Sequence, residues 1–163
     1  MRMILGLAAA AAMGLTFSAG REARAQTTTV PGCVALEIAA ETALGATATA
    51  GPASISYPGM ANANGCQVTF TGDGSTFGTN FQAVAAKLDT MMTGRGWARD
   101  PNADADGPTG TAAGYKQGAA LTAVSVNYST PKGVCRADAP VASCHPTPAQ
   151  MQYTITLGLI PAS

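Results

Sequence analysis

From Met151 to Leu159 the chain alternates apolar with polar or small residues: Met151, Tyr153, Ile155, Leu157 and Leu159 against Gln152, Thr154, Thr156 and Gly158. Side chains of a strand point to opposite faces with a period of two, so this stretch requires a sheet with one face covered and the other left open. Cys66, Val68 and Phe70, alternating with Gln67, Thr69 and Thr71, place the same requirement on a second strand. A cover lies between them. Phe81, Val84, Ala85, Leu88, Met91 and Met92 follow the spacing of one buried helical face and leave Lys87 and Asp89 off it. Thr79 with Gln82 three residues later has the form of a capping box, which predicts the helix start there. Gly94 and Gly96 end the helix.

Thr111 to Gln117 and Ala119 to Ser129 read as a hairpin around Gly118, with Val124, Val126 and Tyr128 on one face. The order strand, helix, hairpin, strand predicts an α+β fold. It is a small antiparallel sheet with one main helix packed on one face, in two layers, with a disulfide-braced loop. Ahead of this unit, Cys33 to Leu44 reads as a short helix with Leu36, Ala39, Ala40, Ala43 and Leu44 on one side and Gly45 as its stop, although Val34 to Ile38 also tolerates a strand. Ala46 to Gly65 is rich in Ala, Thr, Gly, Pro, Ser and Asn and reads as an irregular connection, with at most an edge strand at Ile55 to Tyr57. The expected organisation is therefore a leader at 1–25, a loosely structured N-terminal arm with a short helix at 26–64, and an α+β domain at 65–163. From Gln26 onward 30 of 138 residues are large and apolar, enough for one small core.

Arg2, an apolar run from Ile4 to Phe17, and Ala23-Arg24-Ala25 have the order of a secretory signal peptide, with Gln26 as the expected mature N-terminus. The run is shorter than the roughly 20 residues a spanning helix needs, and the first cysteine stands too far beyond it for a lipid anchor. The expected location is periplasmic or secreted. Thiols pair in such a compartment, and four cysteines allow three connectivities. Cys135 and Cys144 flank eight residues, a spacing easily closed into a loop, which leaves Cys33 to meet Cys66. A zinc site at Cys135, Cys144 and His145 is the competing reading, but adjacent residues seldom both face one metal and no Cys-x-x-Cys is present. The same absence removes the usual thioredoxin-like and c-type haem motifs. No cofactor is expected.

Residues Arg99 to Gly110 read as a turn-rich loop. Within it Asn102-x-Asp104-x-Asp106-Gly107 matches the first half of a calcium loop, whose alternating oxygen ligands would curl around one ion. The match is incomplete, because position one is Asn and the twelfth residue is Ala113 where a bidentate Glu is required. The competing reading is a solvated loop of turn formers, with at most millimolar-range calcium affinity. Gly72-Asp73-Gly74-Ser75 lies between a strand and a helix like a phosphate cradle, but it lacks both glycine-motif spacings and reads as a turn. Met91 and Met92 read as core filler rather than copper ligands.

The balanced charge of 9 basic and 9 acidic residues, and a mature net charge of −2 after residues 1–25, lack the basic footprint of a nucleic-acid binder. Catalytic parts are few: one histidine, His145, no Gly-x-Ser-x-Gly elbow and two mature glutamates, Glu37 and Glu41. The sequence points to a small exported binding or accessory domain with an envelope or extracellular partner. Its alternative is a small hydrolase using His145 or the Asp100 to Asp106 loop.

Overall fold

The computed structural model describes residues 30–135 and 143–162. Its first helix, α1, runs Cys33–Leu44 between two left-handed glycines, Gly32 and Gly45, and the Gly45 N–H closes the last turn on the Glu41 carbonyl at 2.8 Å. Both bounds are those read from the sequence. The long helix, α3, runs Phe81–Gly94 and buries Phe81, Val84, Leu88 and Met92, the expected stripe. Its start differs from the expected capping box. Asn80 is the cap, with its side-chain oxygen accepting the Ala83 N–H at 3.2 Å. The short Asn side chain on an extended backbone reaches that N–H from the position adjoining the helix, one residue later than Thr79.

Six strands form one antiparallel sheet: β1 Thr49–Ile55, β2 Ala63–Asp73, β3 Ala98–Gly107, β4 Gly110–Gln117, β5 Ala120–Ser129 and β6 Gln152–Ile160, in the order β1-β2-β6-β5-β4-β3. The four central strands are those the sequence announces. The hairpin is as expected, Gln117 pairing with Ala120 across a two-residue turn in which Gly118 takes φ 58°. The edges depart from the sequence reading: the edge strand allowed at Ile55 to Tyr57 lies instead at Thr49–Ile55, and β3 occupies a segment read as a loop. Residues 46–65 are not an irregular connection throughout, since β1 lies along β2. Arg99 to Gly110 is not an open loop either, since most of it is β3, broken by a register shift between Asp100 and Ala105. Each edge strand contains a proline, Pro52 and Pro101, which a central strand could not accommodate because it lacks the N–H for a second neighbour. The Pro101 strand also carries the bulge, a common device for blunting an exposed edge.

Gly72-Asp73-Gly74-Ser75 is likewise not a plain turn. Asp73 ends β2 and caps the four-residue helix α2, Gly74–Phe77, accepting N–H groups of Ser75 and Thr76 at 2.9 and 3.1 Å. Phe77 then packs edge-on against Tyr153 with ring centres 5.7 Å apart.

The fold is α+β, with a correction to the single covering helix: α1 and α3 share one face of the sheet and one core. That core holds Phe81, Val84, Leu88, Tyr153, Ile155 and Leu157 together. Residues 33–55 are accordingly not a loose arm, because α1 packs on α3 and the Cys33–Cys66 disulfide ties it to β2. The second disulfide, Cys135–Cys144, closes a local loop. Among the described residues no helix is long and apolar enough to cross a membrane. The leader read at 1–25 lies outside the described residues.

The sheet's other face is covered at one end only. Ile55, the last residue of β1, and Tyr57, on the connection that follows, lie over Gly158 and Gly114 and form a small second cluster with Ala103 and Ile160. Any side chain at Gly114 would collide with the Tyr57 ring and Ala103, which explains a glycine in mid-strand.

Candidate functional site

The acidic segment expected to form a loop is distributed along β3 and held by partners within the fold. Asp100, buried, takes the Lys116 ammonium at 2.7 Å and the Tyr57 hydroxyl at 2.9 Å, and accepts the Asn102 N–H at 3.3 Å. The pairings with Lys116 and then Tyr57 hold its carboxyl below the usual aspartate range. Burial, followed by the hydrogen bond to Asp100, pushes Tyr57 up to about 12.

A second charged group lies toward α3. Arg99 is held between Asp89 at 3.2 Å and Asp104 at 3.1 Å, and Asp89 also accepts the Tyr115 hydroxyl at 2.8 Å. The hydrogen bond to Asp104 raises the Arg99 guanidinium further, and burial followed by Asp89 raises Tyr115. Asp106 accepts the Thr111 hydroxyl at 2.6 Å.

The candidate calcium residues Asn102, Asp104 and Asp106 are thus exposed positions on a strand, not a curled loop. Asp104 and Asp106 are turned to different partners. Among the described residues no three His, Cys, Asp or Glu side chains are placed to share a metal ion. Cys33, Cys66, Cys135 and Cys144 are consumed by the two disulfides, so the zinc reading loses its thiolates. His145 is exposed beside Cys144 and joins none of the ion pairs found among the described residues. The structure does not bring it together with the β3 aspartates.

No family model, curated protein or solved structure matches the chain. What it binds or does must therefore be read from its own surface.

Among the described residues, three of its concavities bear on binding. The smallest, about 240 Å³, lies between α3 and strands β4 and β5 above Arg99 and Tyr115. A groove of about 430 Å³ runs over the uncovered sheet face beside Ile55, on a floor of Gly114, Ala123, Ser125, Thr156 and Gly158. The largest, about 580 Å³, opens where the start of α1, the end of α3 and the β4–β5 turn meet. Its lining includes Leu36, Leu159, Pro161, Ala120 and the half-buried Trp97, together with the exposed Arg95 and Gln117. The sharp exit from α3 places these last residues. Gly96 takes φ 82°, the Trp97 N–H returns to the Met92 carbonyl at 3.1 Å, and the Gln117 amide donates to the Arg95 carbonyl at 2.9 Å.

Arg95 and Trp97 belong to no motif that marks them in the sequence as site residues. The available signal was a lone tryptophan directly after a helix-ending glycine, a position where a large ring remains partly uncovered.

Proposed function

We propose that the chain is a small exported binding domain without catalytic activity. The observation that carries this reading is the state of its polar groups: Asp89, Asp100, Asp104 and Asp106 each engage a cation or hydroxyl of the fold, while the largest concavity is walled by apolar side chains. Catalytic groups are ordinarily arranged toward a cleft and toward one another. Here the paired aspartates brace the edge strand, and His145 lines none of the three concavities. A preformed, largely apolar cavity with a few polar groups at its rim is the usual form of a small-molecule binding site.

Export is supported by the signal-like order of residues 1–25 and by two disulfides in a chain of this size. Thermal-shift screening of the mature chain against small organic ligands, run beside a panel of hydrolase substrates, tests the function. The expected outcome is a ligand that raises the melting temperature, with no turnover. Turnover that disappears in His145→Ala or Asp104→Ala would overturn the reading in favour of the hydrolase.

A further inference from the structure

We infer that the cleft beside Trp97 binds an amphipathic anion, a small molecule with an apolar body and one terminal carboxylate or similar acid group. This rests on the reading of the chain as a binding domain and names the ligand class. The volume of about 580 Å³ lies within the range of roughly 300–1,000 Å³ typical of small-molecule sites. The apolar body is matched by Leu36, Leu159, Pro161 and Trp97.

The sign of the polar end follows from the charge at the rim. Arg95 is the only charged side chain in the lining, it is exposed, and among the described residues no ion pair engages it. Arg99, four residues later, is by contrast held between two carboxylates. Arg95 is therefore the one charge of the lining that has no carboxylate partner among the described residues. A guanidinium recognises a carboxylate through paired N–H donors, and removal of water from an apolar cleft strengthens that contact. A neutral ligand would leave it unused, and a cationic one would be repelled.

Trp97, the only tryptophan of the chain, reports directly on occupancy. The experiment is a fluorescence titration of the mature chain with octanoate, 1-octanol and octylammonium, each below its aggregation limit. Octanoate is expected to shift Trp97 emission saturably, and Arg95→Gln to raise its half-saturation concentration roughly tenfold, to the value for octanol. Octylammonium should bind most weakly. Ala35→Phe places a ring in the cleft mouth from an exposed helix position and should abolish the octanoate response while circular dichroism and melting stay near those of the parent.

An absent octanoate response, as when another part of the chain fills the cleft, overturns the inference. Equal binding of octanoate and octanol does so as well, as does a half-saturation unchanged by Arg95→Gln. If the thermal-shift screen finds a different ligand while octanoate fails here, the ligand class falls and the binding function stands. Turnover without any ligand stabilisation removes both.

Discussion

The hydroxyl of Tyr57, carried on the connection that leaves one edge strand, donates at 2.9 Å to the carboxylate of Asp100 on the edge strand at the other end of the sheet order. The contact spans 43 positions of sequence and makes Tyr57 a strap over the sheet face that the helices leave uncovered. Asp100 also holds Lys116 on the adjacent β4, so one carboxylate joins strap, edge and neighbour.

The sign of the resulting pH dependence follows from Asp100. Its folded carboxyl is depressed, so its contribution is fully present above the ordinary aspartate value of about 3.9 and is lost as pH falls through the lower folded value. Urea unfolding of the parent and Asp100→Asn between pH 7 and pH 2 measures it. The variant should be less stable at pH 7, and the gap should begin to narrow as pH falls below about 4 and close only below the depressed folded value. A gap constant across that range would show that Asp100 does not carry the charge-dependent contact.

Tyr57 gives the opposite limb. Its folded phenol is raised to about 12, so the stabilisation it confers is complete below the ordinary value of about 10 and disappears between there and about 12. Alkaline titration of phenolate absorbance should show a component delayed beyond the usual range, and Tyr57→Phe should remove it. Tyr115, raised by burial and then by Asp89, should also ionise late and remain in that variant.

Leu88 is fully buried in the core shared by α3 and β6. Leu88→Ala should cost about 2 to 5 kcal/mol in chemical unfolding, whereas Val34→Ala, at a half-exposed position of α1, should change stability by less than about 0.5 kcal/mol. Equal effects at the two positions would contradict the packing.

The disulfides close loops of different length, 33 and 9 positions apart in sequence. Loop entropy in the unfolded chain assigns about 3.8 kcal/mol to the first and about 2.7 kcal/mol to the second. Cys33→Ala/Cys66→Ala should lower stability more than Cys135→Ala/Cys144→Ala does, and by a margin larger than that difference, because it also empties buried sites beneath α1. Unfolding of the two double variants side by side checks the order.

The legible part of the fold was the part under a two-sided constraint. The central strands β2, β5 and β6 bury one face and alternate accordingly, and α3 carries a full apolar stripe, so each declares its period. The edges β1 and β3 carry no such pattern. Their small and acidic residues, with Pro52 and Pro101, suit a strand with one neighbour and resemble turn formers in composition. Misreading β3 also displaced the candidate site: alternate carboxylates in a loop suggest a cation, but on a strand they pair with Arg99 and Thr111. Both disulfide pairings followed from spacing. Trp97 and Arg95 could not be placed, because the cleft they line is formed by α1 and β6, far away in sequence.

Amide chemical-shift mapping of isotope-labelled residues 26–163 with octanoate tests most directly whether this protein binds at its apolar cleft rather than working through its acidic edge strand. The account predicts saturable shifts concentrated in residues 31–36, 95–97, 117–120 and 159–162, the segments that enclose the cleft. Shifts centred on Asp100 to Asp106 or on His145, or none at saturating octanoate, would contradict it.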